Sequence, residues 1–256
     1  MARTPSAIAP NPASLQIPPP PARRRMRPLQ AWKAIRALLR DPDDTSQVFL
    51  IIEALSGGSF ERLFQRFAGT PTGQAVLRDG RRLVERLDDR EALLALPSDT
   101  LGHQYAQFME REQLSAGGLA EASAEVDRAD RESDPMRQLV GERLRDMHDV
   151  WHVAGGYGRD LLGEAALLAF TYAQTGNRGI GFIVLVALWK ARGRDGRPFR
   201  ALLRESYRRG RRAAWLPAAD WEALLERPLS EVRRELGLGA PPTYEAVRSE
   251  GAPALA

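Results

Sequence analysis

The 256-residue chain contains no cysteine, only two lysines and only three histidines. The absence of cysteine excludes disulfides, thiolate nucleophiles and thiolate metal sites, and it removes the usual indication of redox compartment. No acidic residue precedes Asp41, and the longest strongly apolar run, Gly179 to Trp189, covers eleven residues. Because a membrane-spanning helix needs about 20 apolar residues, this run predicts a core helix or a lipid-contacting helix and no span.

The composition is that of an ordinary soluble protein. Hydrophobic residues make up 43% of the chain and charged residues 27%, which is enough apolar material to form a core. The isoelectric point near 9.8 comes almost wholly from arginine, and the net charge of +4 is modest. This charge does not imply a nucleic-acid partner, and an anionic membrane surface is at least as compatible with it.

The residue pattern predicts one helical domain between two tails. Residues 1–28 hold eight of the eighteen prolines, so we expect a disordered Pro/Arg-rich tail there. Residues 29–240 carry apolar residues at helical spacing, with no alternating strand pattern. We therefore expect an all-α protein, built as a single compact multi-helix domain, with a flexible tail over residues 241–256. Within the domain, the run Val48–Ile52 is apolar on all sides and predicts a buried helix.

Two of the three histidines lie four residues apart in the motif His-Asp-Val-Trp-His of residues 148–152. On a helix, both imidazoles project from one face, about one turn apart. Asp149 is rotated by only about 60° from His152, at 3.6 residues per turn. His148, Asp149 and His152 can therefore lie on one side of a helix.

A second carboxylate follows on the next predicted helix. Gly155-Gly156 is expected to end the first helix, and Asp160 is a suitable N-cap for the second, which carries Glu164 near its first turn. Glu164 shares a helical face with apolar residues, as do the two histidines, so all three should point inward. Buried imidazoles and carboxylates are costly unless they are paired or bind a metal. We expect a divalent-metal site between the two adjacent helices, formed by His148, His152 and one or both of the carboxylates of Asp149 and Glu164.

Three other interpretations of these residues remain open. The first is a network of His–Asp pairs without metal. The second is a zincin-like protease, which we disfavour because Asp149 stands where that motif has its glutamate base and is one methylene shorter. The third is a metal phosphohydrolase with a series formed by His103, His148-Asp149 and either Asp160 or Asp195, although a lone histidine such as His103 is more often a surface or capping residue.

The motif and its surroundings resemble a known family. His-Asp-x-x-His, followed by glutamate after eleven further residues, resembles the signature of the ubiquinone (coenzyme Q) biosynthesis protein 4 family. The resemblance covers about residues 30–238. Besides the motif, it rests on the stretches 41–45, 47–49, 102–105, 108–109, 145–147, 163–164, 173–176, 210–213 and 233–237.

The resemblance implies a helical, membrane-associated factor of ubiquinone synthesis in which His148, Asp149, His152 and Glu164 bind zinc. The family acts on polyprenylated 4-hydroxybenzoate-derived intermediates. It is linked to oxidative decarboxylation, in which a hydroxyl replaces the ring carboxylate, and to organising the other biosynthetic enzymes. Zinc has no redox chemistry, and two histidines with a carboxylate also suit non-haem Fe(II), so iron is the alternative metal.

Two hypotheses follow for the activity. In the first, the chain is an enzyme, a metal-dependent decarboxylase and hydroxylase of a prenylated phenolic acid. In the second, it is a non-catalytic scaffold that binds lipid and the other ubiquinone-biosynthesis enzymes, with zinc as a structural element. The prenyl length, and whether the chain forms a homo-oligomer, stay open.

The expected location is cytoplasmic and peripheral, on the inner face of a bacterial inner membrane, or on the matrix side of the mitochondrial inner membrane if the chain is eukaryotic. The apolar stretches Leu167–Leu168, Phe170 and Ile180–Trp189 could supply a groove for a polyprenyl tail, or they form the core alone. The arginines at positions 208, 209, 211 and 212 could meet anionic headgroups, each worth about 1 kcal/mol. The alternative for these arginines is a solvated helical face.

Overall fold

A computed structural model describes residues 17–20, 25–41, 44–112, 134–193 and 196–247. Over these ranges the chain is helical, and its nearest approach to a sheet is an isolated antiparallel bridge between Thr100 and Pro228. The predicted all-α class is confirmed. The helices are α1 (Pro28–Leu38), α2 (Thr45–Ser56), α3 (Ser59–Ala68), α4 (Pro71–Asp79), α5 (Leu83–Leu87), α6 (Arg90–Ala95), α7 (Leu101–Arg111), α8 (Pro135–Gly155), α9 (Leu161–Thr175), α10 (Arg178–Lys190), α11 (Arg197–Arg212), a 3-10 turn (Leu216–Ala218), α12 (Trp221–Leu224) and α13 (Leu229–Glu235).

The ends of the two central helices follow from capping residues in the sequence. The Asp134 side chain accepts a hydrogen bond from the backbone of Met136 at the start of α8. Asp160 accepts from two backbone amides at the start of α9, as expected for an N-cap. Gly156 and Gly176 end α8 and α9 in the left-handed conformation that glycine adopts without strain. The predicted break and cap between these helices are both present.

The largest apolar core surrounds α8 and α9. Trp151 of α8 meets Phe170 of α9 edge to face, with ring centroids 6.1 Å apart. Helix α9 packs closely on α11, where a side chain at Gly210 would come within 2.7 Å of the Phe170 carbonyl oxygen. Trp221 is fully buried in the same core. The relative position of α8 and α9 is therefore set mainly by apolar packing.

Helices α1, α2 and α10 form a smaller core, in which Ile35, Ile51 and Ile183 are buried together. Of the run Val48–Ile52, Ile51 is the residue that reaches full burial, while the others are partly exposed. Helix α10 also leaves Leu185 63% and Trp189 56% exposed. Across the described ranges, no helix is both long enough and apolar enough to cross a membrane.

Buried arginines join helices that are distant in sequence. Arg143 of α8 is fully buried and forms two hydrogen bonds of 2.6 Å to the Glu222 carboxylate. Arg209 of α11 is buried as well, and it donates to the Tyr157 hydroxyl at 2.7 Å and to the Gly155 carbonyl at 3.0 Å. The expectation that Arg209 meets lipid headgroups is therefore wrong, because its guanidinium holds the end of α8 inside the protein.

Most residues of the two expected tails, 1–16, 21–24 and 248–256, lie outside the described residues. Of the N-terminal segment, Pro18 and Pro19 present their carbonyls to Arg137 Nη2, at 3.2 and 3.3 Å. Of the C-terminal segment, residues 241–247 lie against the loop between α8 and α9, where the Val247 carbonyl accepts a hydrogen bond from the Leu161 amide and the Val247 amide donates to the Asp160 carboxylate. The disorder and the domain boundaries stay predictions.

Candidate metal centre

Helices α8 and α9 bring His148, His152 and Glu164 together. The ligand atoms of these three side chains all lie within 4.8 Å of one another. Glu164 Oε2 is 3.5 Å from His148 Nε2, and its Oε1 is 3.4 Å from His152 Nε2. The His152 side chain is fully buried, whereas His148 is 26% and Glu164 31% exposed. The three groups therefore converge at a site with one side open to solvent.

The tautomer of His152 is set by the loop that follows α8. Its Nδ1 lies 3.2 Å from the Tyr157 carbonyl oxygen, which accepts a hydrogen bond only if Nδ1 carries the proton. When the ring is neutral, the lone pair of Nε2 then faces the centre of the site; when the ring is protonated, Nε2 faces Glu164 Oε1, 3.4 Å away. His148 Nε2 is only 3.3 Å from His152 Nε2, and two nitrogen lone pairs repel at that distance unless a proton or a metal ion lies between them. Such an outer hydrogen bond is typical of metal-binding histidines.

The electrostatics of the site favour a buried carboxylate beside cationic partners. Burial would raise the pKa of Glu164, but the charge of His152 and the hydrogen bonds from both imidazoles bring this pKa well below its ordinary value. Burial would lower the pKa of His148, but the hydrogen bond and the charge of Glu164 outweigh it, so the pKa of His148 is raised. Glu164 also lies in the first turn of α9, where the helix dipole favours a negative charge. The carboxylate is therefore ionised and ready to bind a cation.

Asp149 is not in this group of three. Asp149 is buried. The pKa of Tyr105 is raised, first by the burial of the tyrosine and then by the negative charge of Asp149. The Tyr105 hydroxyl is also buried and has no hydrogen-bond partner within the described part of the chain. Burial raises the pKa of Asp146, one turn earlier in α8. The role of Asp149 as a ligand stays a prediction.

Arg159 is the site residue that the sequence analysis missed. It lies in the loop between α8 and α9, and its Nε is 3.2 Å from Glu164 Oε1. Its side chain is 29% exposed, similar to His148 and Glu164. A basic residue five positions before a proposed ligand was the available signal, but spacing alone did not show which way the side chain pointed.

The residues of the phosphohydrolase series are not brought together. The Nδ1 of His103 lies 3.1 and 3.0 Å from two carbonyl oxygens before α7, and His103 is not in the metal-binding group. Asp160 is occupied as the cap of α9 and as a partner of Tyr244 and Val247. Asp195 lies outside the described residues.

The donor set fits a divalent metal ion. Two imidazoles and a carboxylate are ligands of zinc and of non-haem iron, and three protein ligands leave positions open for a substrate. The ring of Phe108 stacks on His152, with centroids 5.6 Å apart, and forms an apolar wall behind it. The arrangement could hold an ion that is shielded on one side and accessible on the other.

Comparison with known proteins agrees with the sequence resemblance. The family described as "Coenzyme Q (ubiquinone) biosynthesis protein Coq4" matches residues 22–242. Among curated relatives, mitochondrial ubiquinone biosynthesis proteins of this family from Talaromyces stipitatus and Arthroderma otae are 30% and 31% identical over 187 and 188 residues. These alignments cover 73% of the present chain, 63% of the first protein and 67% of the second. The present chain thus spans less than two thirds of the length of some curated relatives.

A solved structure has the same fold. It is the crystal structure of a protein from Nostoc punctiforme PCC 73102 assigned provisionally to ubiquinone biosynthesis, with a TM-score of 0.59 and 22% sequence identity. The superposition covers 84% of the present chain and 100% of the other. Because the family match extends over most of the described helices, the chain belongs to the coenzyme Q (ubiquinone) biosynthesis protein Coq4 family.

Proposed function

We propose that this protein acts in ubiquinone biosynthesis, as a metal-dependent enzyme that oxidatively decarboxylates a polyprenylated 4-hydroxybenzoate-derived intermediate. In this reaction the ring carboxylate leaves as carbon dioxide, dioxygen supplies the oxygen of the hydroxyl that takes its place, and an external two-electron donor reduces the second oxygen atom to water. The observation that carries the proposal is the convergence of His148, His152 and Glu164 at a half-exposed site in a chain of this family. An ion held only for structure would be expected in a site closed to solvent, whereas His148 and Glu164 are 26% and 31% exposed here.

The proposed ligands are the four of the sequence analysis: His148, Asp149, His152 and Glu164. Asp149 would complete the set by a change of side-chain rotamer, and its charge already acts on the His148 imidazole. Zinc is the proposed metal and iron the alternative, since both accept imidazole and carboxylate. When bound, a divalent ion would supply Lewis-acid chemistry, which polarises a carboxylate.

The protein's own contribution is to orient and to shield. The Tyr157 carbonyl holds His152 in one tautomer, and the Phe108 ring excludes water from one side of it. Glu164 keeps His148 close to the site through its charge. These contacts supply a site of fixed geometry, which is the requirement for binding a substrate next to a metal ion.

The apolar surface of α10 is the proposed site of lipid and membrane contact. Leu185, Leu188 and Trp189 line an open groove of about 480 Å³, with Arg192 beside them. Exposed aromatic and aliphatic side chains next to a basic residue are typical of surfaces that contact membranes. Leu167 and Phe170 are fully buried, which agrees with the alternative that these two residues belong to the core alone. We therefore propose peripheral association through α10, on the membrane face named in the sequence analysis.

The same surface supports a second function, that of a scaffold. An exposed apolar groove can seat another ubiquinone-biosynthesis enzyme as well as a lipid, and the metal would then hold α8 to α9. In that case a chelator should melt the fold and release partners, and the purified protein should carry out no reaction.

Conversion by the purified protein distinguishes the two functions. The metal-loaded chain is incubated with the prenylated phenolic acid and a two-electron reductant in detergent under isotope-labelled dioxygen, and the product is followed by mass spectrometry. We expect a decarboxylated, hydroxylated product that carries the label, with metal content confirmed by elemental analysis. The variant Glu164→Ala should form no product but remain folded by circular dichroism. Full conversion by this variant, or no conversion by the metal-loaded wild type, would reject the enzyme.

Membrane contact is tested separately. Flotation with vesicles containing anionic lipid should recover the wild-type protein, and the variant Trp189→Glu should remain in solution. The exposed Tyr207→Glu variant on α11 is the control for a change of similar kind elsewhere. Equal flotation of wild type and Trp189→Glu would exclude α10 as the contact surface.

A further inference from the structure

Arg159 forms an ion pair with Glu164, which is one of the proposed metal ligands. Its Nε donates to Glu164 Oε1 at 3.2 Å, and that carboxylate oxygen also lies 3.4 Å from His152 Nε2. The guanidinium is thus hydrogen-bonded directly to a proposed ligand of the metal site. Among the described residues, Glu164 is its one charged partner.

The charges near the site do not balance once a divalent ion is present. The ion would draw on the negative charge of Glu164, so the attraction between Glu164 and Arg159 would weaken. A guanidinium next to a metal cation is unfavourable in a partly buried site, where charges interact more strongly than in water. Even with Asp149 as a further anionic ligand, the site keeps a net positive charge. An anion bound beside the metal would remove this imbalance.

The guanidinium is also placed to bind such an anion. Its side chain is partly exposed, as are those of His148 and Glu164. Arginine offers a planar pair of N–H donors that matches the two oxygens of a carboxylate. With Nε directed at Glu164, the terminal nitrogens have no hydrogen-bond partner within the described chain.

The loop that carries Arg159 is held on both sides by the C-terminal segment. The Gly158 amide donates to the Tyr244 hydroxyl at 2.8 Å, and this hydroxyl donates to Asp160 Oδ2 at 3.1 Å. The Val247 amide donates to Asp160 Oδ1 at 3.2 Å. A residue between two anchored neighbours is positioned before a ligand arrives, which lowers the entropy cost of binding.

We propose that Arg159 is a binding residue for the carboxylate of the substrate, and that it selects carboxylated over decarboxylated phenols. This inference rests on the proposed function, because it assigns the anion to the ring carboxylate of the same substrate. The guanidinium would hold the carboxylate beside the metal ion. After the carboxylate has left, the uncharged product would lose this contact and bind more weakly.

The test compares two probes on the zinc-loaded full chain by isothermal titration. One probe is a short-chain prenylated 4-hydroxybenzoate, and the other is the same prenylphenol without the carboxylate. We expect the wild type to prefer the carboxylated probe, and Arg159→Gln to lose roughly tenfold to a hundredfold of that preference. Arg159→Lys, which keeps the charge but loses the planar pair of donors, should retain part of it. Arg211→Gln, an exposed change on α11, should behave as the wild type.

Zinc content, measured on every variant, separates the explanations. Arg159→Gln should retain zinc, whereas loss of zinc would mean that Arg159 only supports Glu164 and would overturn the inference. An unchanged preference in Arg159→Gln would overturn it too, while leaving the proposed function intact. A wild type that binds no metal, or that does not distinguish the probes, would reject the proposed substrate class and the inference together.

Discussion

Replacing Glu164 by glutamine should sharply weaken metal binding while preserving the shape of the side chain. Its two carboxylate oxygens lie 3.5 and 3.4 Å from the two imidazole nitrogens, so one residue connects the whole site. A structural zinc site of four ligands binds with about 10–16 kcal/mol, which assigns roughly 2.5–4 kcal/mol to each ligand. We therefore expect the zinc affinity of Glu164→Gln to fall by roughly a hundredfold to a thousandfold.

The affinity is measured by competition with a chromophoric chelator at fixed pH. Glu205→Gln removes a carboxylate that is 48% exposed on α11, and it should bind zinc as tightly as the wild type does. An affinity of Glu164→Gln within a few-fold of the wild type would refute the reasoning, because a side chain that supplies no ligand atom would then account for the geometry equally well.

The same variant makes a second prediction for the metal-free protein. The pKa of His148 is raised because Glu164 outweighs the effect of burial, so removal of this charge should lower the pKa of His148. The chain has only three histidines, which makes the imidazole signals straightforward to assign in a proton NMR titration. If the His148 signal titrates at the same pH in the wild type and in Glu164→Gln, the ion pair is not formed in solution.

Three further changes test the surroundings of the site. Arg143→Met leaves the Glu222 carboxylate without its hydrogen-bonding partner. The unfolding free energy measured by urea denaturation should fall by about 3–5 kcal/mol, and a fall of less than about 1 kcal/mol would contradict the ion pair. In the metal-free protein, the stabilisation from Glu164 is lost as pH falls through its lowered pKa, and that from His148 is lost as pH rises through its raised pKa. The stability contributed by this pair should therefore be greatest between about pH 4.5 and 6.5, the ordinary pKa values of a glutamate and a histidine. Denaturation is measured at several pH values in the presence of a chelator, and the difference between the wild type and Glu164→Gln would not change with pH if the pair contributed nothing. Tyr244→Phe removes two hydrogen bonds to the loop before α9 and should lower the unfolding free energy by about 1–2 kcal/mol. In the wild type, the pKa of the Tyr244 phenol is raised to about 12. Ionisation at its ordinary pKa, followed by ultraviolet absorbance, would argue against these contacts.

The central hairpin could be predicted because its signals are local. Helix-compatible spacing, a glycine break and an aspartate cap determine where α8 ends and α9 begins, and each of these acts over a few residues. Since a histidine pair at this spacing shares a helical face, the approach of Glu164 to both imidazoles followed from a short connection between two helices. The all-α class is confirmed for the same reason.

The orientation of long side chains could not be predicted in this way. Arg208, Arg209 and Arg211 lie in one arginine-rich stretch at the end of α11. Of these three, Arg209 is buried and the other two are exposed. Its burial depends on acceptors from Gly155 and Leu238, which lie 54 and 29 residues away. Arg159 was missed for a similar reason, since its role depends on the direction of one flexible side chain. The run Val48–Ile52 shows the converse, because apolar residues stay partly exposed where α1 and α10 do not cover α2 completely.

The arrangement of core and site bears on whether a metal ion would serve structure or chemistry. Helix α8 contacts α9 through Trp151 and Phe170 in the main apolar core, and α9 packs closely on α11; neither contact involves the histidines. Arg143 ties α8 to α12 through a further buried ion pair. A structural metal ion is needed where apolar burial is too small to hold two helices together. Here α8 and α9 both contribute to the largest apolar core of the described chain. With the hairpin already fixed by packing, the two imidazoles and the carboxylate are not required to join α8 to α9, yet the two Nε2 atoms face each other at 3.3 Å beside the Glu164 carboxylate. The placement of these groups is thus better explained by the binding of an ion and a substrate than by the needs of the fold.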